Sequence, residues 1–574
     1  MVILGLSNND YAGACLIING EIVAAASEER FTRIKAHKTF PHKSIEYVLT
    51  EGGIKLSDVD KFAYGWAAGF DKDKHLELYF DRIVEGCMED PTSISAFRKR
   101  LTDEIHNDIE KRKEFEAFLK RRDLSEKAYY VDHHEAHANA AMLCSPFEDG
   151  ITISCDGRGD FQSLTISRYT NREFEVLQRE TSFDSLGYFY GRITALLGFK
   201  PNRHEGKITG LAAHGDPTKL LHKMKCLIDT NAEGRIRAKV ESGYLPSYHN
   251  NYELLNSLFD GDSKEDIAAA AQQHLENILL DVLSRHINPK EPVNLCLAGG
   301  VFGNVKLNQR LREMPSVKNI FVLPAMGDDG LPLGAAVVAS YNLTGQRSQT
   351  TTMKLGPCIE TRDILTSLES NPQYKVLKGN QADIVRLILS SLKKNKILGL
   401  VRGRMEFGPR ALCNRSIICS AKDQSINRWL NERMNRTEFM PFAPIIADIH
   451  ATDSFVGWKD NHIASQFMTI TYNCTDYFTQ ACPAVTHIDK TARPQVITRV
   501  SDSFMHQILI GWEKLSGEPA LINTSFNMHE EPIILNVDNG LKNLDREVVD
   551  ILVINEDVLI WRTDSHHDME FLHE

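Results

Sequence analysis

Residues 2–26 read VILGLSNNDYAGACLIINGEIVAAA: three apolar runs, VILGLS, ACLII and EIVAAA, separated by two polar turns. The second turn is Asn19-Gly20. Asn-Gly between apolar runs marks a hairpin, because a type I′ turn needs positive φ at both central positions. The stretch therefore predicts strand, turn, strand, hairpin, strand, with an acid, Asp10, in the first turn. The layout returns at residues 150–179, GITISCDGRGDFQSLTISRYTNREFEVLQR, again with an acid, Asp156, in a glycine-containing turn. Two more glycine-rich turns follow, LAGGVFGN at 297–304 and MGDDGLPLGAA at 326–336, each opening a helix-like segment.

Two related halves whose strand-end turns hold phosphates and a metal are the layout of an actin-like or Hsp70-like ATP-binding fold. The expected metal comes from VDHHEAHANAAM, residues 131–142, where His133 and His137 stand four apart at the start of an alanine-rich helix. Positions i and i+4 share a helix face, so both imidazoles can meet one ion. Asp156 and the GDDG acids Asp328 and Asp329 supply carboxylates from strand ends. Mixed imidazole and carboxylate ligands suit Fe(II), Mn(II) or Zn(II) with positions left open. The zincin motif is excluded, since His134 stands where that motif needs glutamate.

A polar stretch, TGQRSQTTT at 344–352, divides the chain, giving modules 1–347 and 348–574. Residues 71–128 read as a charged, solvated helical insert, and 265–285 as an amphipathic helix. The second module is α/β and carries VRGRMEFGPRALCNRSI, with Arg402, Arg404, Arg410 and Arg415 directly after a strand at 397–401. Guanidinium forks suit bidentate capture of phosphate or carboxylate. Arg493 in THIDKTARPQ, and Asn523, Thr524 and Ser525 in INTSFN, offer further anion and hydroxyl partners.

Bulk properties narrow the class. Of 574 residues, 42% are hydrophobic and 25% charged, which describes an ordinary globular protein of two to four domains. A net charge of -11 argues against charge-driven nucleic-acid binding. No apolar run reaches membrane-spanning length. The opening MVILGLS reads as a strand rather than a signal-peptide layout, and the 11 Cys contain no CxxC pair, so a reducing cytoplasmic setting is expected.

The strings AAASEERFTRIK (24–35), DHHEAHA (132–138), EGKITGLAAHG (205–215), AGGVFGNVKLN (298–308), GDDGLPLGAA (327–336), GRMEFGPRALCNRSI (403–417), EFMPFAP (438–444) and NTSFN (523–527) together resemble one family. It holds the antibiotic-tailoring O-carbamoyltransferases (nebramycin 5′-synthase and the cephem carbamoyltransferase) and the nodulation-factor carbamoyltransferases. The resemblance implies an α/β protein whose first module is a duplicated actin-like, threonylcarbamoyltransferase-like fold. The second module would be YrdC-like. The second site would make carbamoyl adenylate from carbamoyl phosphate and ATP with Mg²⁺. The first would pass the carbamoyl group to a hydroxyl of a small metabolite, and a homodimer is compatible with this picture.

By that resemblance His133, His137, Asp156 and Asp328 are iron ligands. Lys35, Glu205, Lys207, Gly299, Gly300 and Asn304 lie around the nucleotide, Lys207 also counting as catalytic. Arg404, Arg410, Arg415, Arg436, Arg493, Asn523 and Ser525 bind carbamoyl phosphate and ATP, with Arg410 catalytic. Three departures stand out. Asp10 replaces a histidine of the first turn and becomes the expected base. Arg436 replaces a lost cation before PFAP, and Cys413 stands where glycine is usual. Rival classes are an actin-fold small-molecule kinase, a nucleotide-switched ATP-binding protein without catalysis, and a tRNA-modifying fusion.

Overall fold

The computed structural model describes residues 1–8, 11–66, 77, 81–82, 91–245, 252–359, 368–436 and 441–564. Asp10, Glu438, much of the stretch before residue 91 and the tail from 565 onward, which reads as a flexible end, lie outside the described residues. The chain forms two compact units, Met1–Ala25 with Lys38–Thr350, and Ala26–His37 with Thr351–Glu574. The division falls inside the polar stretch 344–352. One segment, Ala26–His37, groups with the second unit although its sequence position assigned it to the first.

Within the described residues of the first unit, β1 (Val2–Asn8), β2 (Ala12–Ile18), β3 (Glu21–Ser27), β4 (Lys61–Tyr64) and β5 (Ala128–Tyr130) form a sheet of order β3-β2-β1-β4-β5. A second sheet is built from β6 (Gly150–Gly159), β7 (Gln162–Thr170), β8 (Glu173–Thr181), β9 (Val293–Ala298) and β10 (Val317–Val322), in the order β10-β9-β6-β7-β8. Read from the other edge this is the same order. In both, the first strand pairs antiparallel with the second and parallel with the fourth. β1 is buried at six of seven positions, as a strand covered on both faces must be.

Four helices matter for the site: α1 (Pro91–Lys120), α2 (His133–Cys144), α3 (Leu186–Leu196) and α4 (Glu205–Ala212). Three more follow, α5 (Lys264–Ser284), α6 (Val305–Arg312) and α7 (Leu331–Thr344), the last buried from Leu331 through Ser340. α5 lies where the sequence predicts an amphipathic helix. Helix α1 corrects the picture of a purely solvated insert. Arg100, Glu104 and Asp108, spaced by four, are buried on one face. Arg100 Nε donates to Glu104 Oε1 at 2.6 Å, and Asp108 accepts both Arg158 terminal nitrogens at 3.2 and 2.9 Å.

The second unit is built on one mixed sheet. Its strands are β11 (Tyr374–Lys378), β12 (Leu398–Val401), β13 (Arg415–Ser420), β14 (Ala443–Ala447), β15 (Gln495–Ile497), β16 (Ala520–Ser525), β17 (Ile551–Ile554) and β18 (Val558–Arg562). The order is β11-β18-β17-β12-β13-β16-β14-β15. The arginine-rich turn joins β12 to its antiparallel neighbour β13, and β16 lies on the other side of β13. Among the described residues no helix is long and apolar enough to cross a membrane, and the described cysteines are all free thiols.

Candidate functional site

Helix α2 begins at His133 because Asp132 caps it, its carboxylate accepting the Glu135 amide at 3.0 Å. Asp160 accepts the His133 amide at 2.9 Å and fixes the same turn. The His133 and His137 ring centroids then lie 4.7 Å apart. Asp156 sits where the pairing of β6 with β7 is interrupted between Cys155 and Gly159. Asp328 opens the turn that leads into α7. Gly159 makes room for the first ring, since a Cβ there would stand 2.0 Å from His133 Cδ2.

These four side chains converge. His133 Nε2 stands 3.2 Å from Asp156 Oδ2 and 3.7 Å from Asp328 Oδ1. His137 Nε2 stands 3.9 Å and 3.3 Å from the same two oxygens. Four donors about 2.1 Å from a tetrahedral ion are about 3.4 Å apart, so the arrangement fits a divalent transition metal without rebuilding. Both rings and Asp156 are buried, while the Asp328 side chain is 17% exposed and marks the open side.

The electrostatics favour a cation there. Burial works against ionisation of Asp156, but His134 and His133 beside it prevail and hold its carboxyl below the usual range. Burial likewise works against a charged His133. The Asp156 hydrogen bond and the Asp328 and Asp160 charges outweigh it and raise that ring to about 9. His137 moves the other way, burial lowering it. Positive charge is thus favoured on His133 and disfavoured on His137.

Of the expected nucleotide residues of the first unit, Gly299 stands beside this cluster. Gly299 has φ 100°, and a Cβ on it would meet the Cys155 carbonyl oxygen at 2.4 Å, beside Asp156. Ser185, which caps α3, donates to the Asp156 carbonyl at 3.1 Å. Asn304 caps α6 and exchanges amide hydrogen bonds with Gln272 at 2.8 and 3.2 Å. Gln272 accepts from Tyr190 at 2.7 Å, and Tyr190 meets Thr209 at 3.1 Å, on the helix that carries buried Lys207. Glu205 accepts the Asn202 amide at 2.6 Å, and burial raises its carboxyl above the ordinary range. Gly300 faces open space. Lys35 belongs to the second unit, where its ammonium stands 3.3 Å from Glu29 Oε1.

In the second unit the turn 402–415 is held from inside. Glu406 Oε1 accepts the amides of Leu412, Asn414 and Arg415 at 2.7, 2.7 and 3.1 Å. Arg415 departs from the expected anion-binding role. It is 0% exposed, and its donors reach the carbonyls of Leu535, Arg402, Asn414, Pro357 and Gly403 at 2.6–3.3 Å. A guanidinium so committed supports the turn rather than a ligand. Asn523 is committed too, its amide donating to Gln495 Oε1 at 2.7 Å and to the Ala411 carbonyl at 3.3 Å. Arg404 donates to the Leu355 and Gly356 carbonyls at 2.7 and 3.3 Å. Arg402 pairs with Asp502 and Glu556.

Arg436 and Ser525 are brought together, Arg436 donating to Ser525 Oγ, Thr524 Oγ1 and Asn527 Oδ1, each at 3.0 Å. Arg410 and Arg493 are half-buried. The N-terminal segment also supports this turn. Arg30 donates to the Gly408 carbonyl at 3.0 Å, and Arg33 donates to the Pro532 and Ile533 carbonyls at 2.7 Å.

Sequence reasoning missed His134, Asp160, Glu406 and Trp66, whose ring centroid lies 4.4 Å from that of His133. The acid-rich turn DGRGD could have pointed to Asp160, and the lone acid among arginines to Glu406.

The family model for the carbamoyltransferase N-terminus matches residues 2–337, and that for the carbamoyltransferase C-terminus matches residues 389–561. An uncharacterized protein of Methanocaldococcus jannaschii is 30% identical over 96% of this chain and 98% of its own. Nodulation protein NolNO of Sinorhizobium fredii is 29% identical over 97% of this chain and 79% of its own. Nodulation protein U of Rhizobium tropici is 26% identical over 92% and 91%. Among solved structures, full-length HypF in the phosphate- and nucleotide-bound form matches at 15% identity and a TM-score of 0.31, over 61% of this chain and 47% of that one. This chain thus spans about half the length of that HypF.

Proposed function

The chain belongs to the carbamoyltransferase family and is a carbamoyltransferase, and on that premise we propose that it joins carbamoyl phosphate, ATP and a small-molecule hydroxyl in two steps at two sites. The observation that carries this reading is the convergence of His133, His137, Asp156 and Asp328 from three separate parts of the first unit. The first unit is then the transfer module, and its repeated strand order supports the actin-like reading. The second unit is the adenylate-forming, YrdC-like module.

In the second unit, Arg410, Arg436 and Arg493, with Ser525, neutralise and align carbamoyl phosphate and the ATP phosphates, and Arg404 stands beside them. Water attacks the phosphorus of carbamoyl phosphate, the bond between phosphorus and the carbamoyl oxygen breaks, and phosphate leaves, releasing carbamate. A carbamate oxygen attacks the α-phosphorus of ATP, the bond to the β-phosphate oxygen breaks, and pyrophosphate leaves. Charge stabilisation and alignment carry this step, and Mg²⁺ accompanies ATP. Glu406 and Arg415 keep the turn in the shape that presents Arg410.

In the first unit, His133, His137, Asp156 and Asp328 would hold iron(II), or manganese or zinc, which when bound supplies Lewis acidity toward the adenylate phosphate. The Gly299–Gly300 turn and Asn304 receive the nucleotide through backbone amides, with Lys207 and Glu205 on the facing helix. The acceptor hydroxyl oxygen attacks the carbamoyl carbon, the bond to the AMP oxygen breaks, and the hydroxyl proton passes to Asp10. The acceptor is a hydroxylated metabolite of the kind modified in antibiotic tailoring. The setting is the cytoplasm, which the free thiols support.

The test is to follow carbon-labelled carbamoyl phosphate and γ-labelled ATP together, with a panel of hydroxylated acceptors. The reading expects labelled carbamoyl on an acceptor, with AMP and pyrophosphate released. Phosphate transfer from the γ position would instead establish a kinase, and ATP binding without pyrophosphate release would establish a nucleotide-switched protein.

A further inference from the structure

His134 is the unexplained side chain beside the proposed metal centre. It is 0% exposed and follows His133 directly on α2, yet it does not belong to the four-residue cluster. Its Nε2 stands 3.4 Å from Asp156 Oδ1. Asp156 therefore divides its two oxygens: Oδ2 faces His133 and His137, while Oδ1 faces His134. Among the described residues neither ring nitrogen of His134, nor Asp156 Oδ1, meets the geometry of a hydrogen bond, so the 3.4 Å approach between Nε2 and Oδ1 is the polar contact recorded for them. A fully buried imidazole and a buried carboxylate oxygen left otherwise unsatisfied are costly to keep, which favours a contact between them that matters.

We propose that His134 is a positioning residue. Its Nε2–H holds Asp156 Oδ1, so that the carboxylate offers one oxygen, Oδ2, to the metal. The carboxylate has two ways to bind an ion, through one oxygen or through both. An in-plane tilt of the carboxylate that brings Oδ1 toward the ion changes one mode into the other. A donor on Oδ1 opposes that tilt and keeps the ion's coordination number down, leaving a position open for a ligand. The proposal places the proton of His134 on Nε2, the nitrogen that faces the carboxylate. The inference rests on the reading that the four-residue cluster binds a divalent cation.

The experiment uses Co(II) as the probe, with the full-length chain stripped of metal. Co(II) affinity is measured by competition with a chelator, and its visible absorption reports coordination number. His134→Met keeps volume and removes the donor; His134→Gln keeps a donor of similar reach. The Met variant is expected to bind Co(II) about 10- to 100-fold more weakly, with a weaker visible band as coordination rises. The Gln variant should stay within about threefold of wild type and keep its spectrum. If the Met variant does not fold, His134→Asn, whose amide is too short to reach Oδ1, takes its place under the same readouts. A Met or Asn variant with wild-type affinity and spectrum overturns the proposal. So do Gln and Met variants that lose affinity equally, which would mark a packing role. Wild-type protein that binds no Co(II) would overturn the metal site itself, a separate result.

Discussion

His137 Nε2 stands 3.3 Å from Asp328 Oδ1, although 191 residues separate the two. The contact joins the second turn of α2 to the turn before α7, and both helices are buried along most of their length. The ring and the carboxylate are therefore placed by the core of the unit rather than by a mobile loop. Precision of that kind is what a metal centre requires of its scaffold.

Gly159 is the weak point of that placement. A methyl group at this position overlaps the His133 ring, its Cβ lying 2.0 Å from Cδ2. Gly159→Ala should displace the ring and lower Mn(II) or Fe(II) affinity by at least ~10-fold, with a stability loss of about 1–3 kcal/mol. Metal quantitation after reconstitution, beside a thermal melt, checks both. Full metal content in the variant would show that His133 is not a ligand.

Arg415 and Arg410 lie five residues apart in one turn and should fail in different ways. Arg415→Leu leaves five carbonyls, two of them fully buried, without their donor, so the second unit should lose more than ~3 kcal/mol or not fold. Arg410→Leu should melt within about 1 kcal/mol of wild type, yet lose carbamoyl-phosphate-dependent pyrophosphate release. Urea unfolding followed by a pyrophosphate assay separates the two. A stable Arg415→Leu protein with weakened carbamoyl phosphate binding would restore Arg415 to the anion site.

The Arg402–Asp502 pair sets an acid limit on stability. Burial opposes ionisation of Asp502, but Arg402 and Lys354 outweigh it and hold its carboxyl below the usual carboxylate range. A depressed folded value means that the stabilisation is complete above the unfolded pKa, about 3.9. It is lost as pH falls through the folded value. Asp502→Asn should be less stable than wild type at neutral pH, with a shallower decline below about pH 4. Denaturant midpoints across that range test the sign. Parallel curves for the two proteins would remove Asp502 from the account.

Much of this is legible in the sequence. The three opening strands, helix α5, the His–Asp quartet that could hold a metal and the arginine turn all announce themselves through local patterns: alternation, an Asn-Gly turn, i to i+4 histidines, clustered guanidinium groups. What the sequence hides is which side chains the fold consumes internally. Arg410 and Arg415 look alike in the string GPRALCNRS, and only burial of the second against carbonyls tells them apart. The buried ladder on α1 is hidden for the same reason, because charges on a helix read as solvated until their partners are known. Cys413, by contrast, explains a departure. Its φ of 74° is the left-handed conformation that glycine adopts at least cost, so the position keeps its shape with a strained residue. That the segment carrying Lys35 folds with the second unit is revealed by no local pattern.

The central claim is that two chemical steps are divided between two clusters, and parallel assays of His137→Ala and Arg410→Ala test it most directly. Pyrophosphate release from ATP and carbamoyl phosphate is measured beside carbamoylation of an acceptor. The account predicts that His137→Ala still releases pyrophosphate but leaves the acceptor unmodified, and that Arg410→Ala does neither. Acceptor carbamoylation at the wild-type rate by His137→Ala would contradict it.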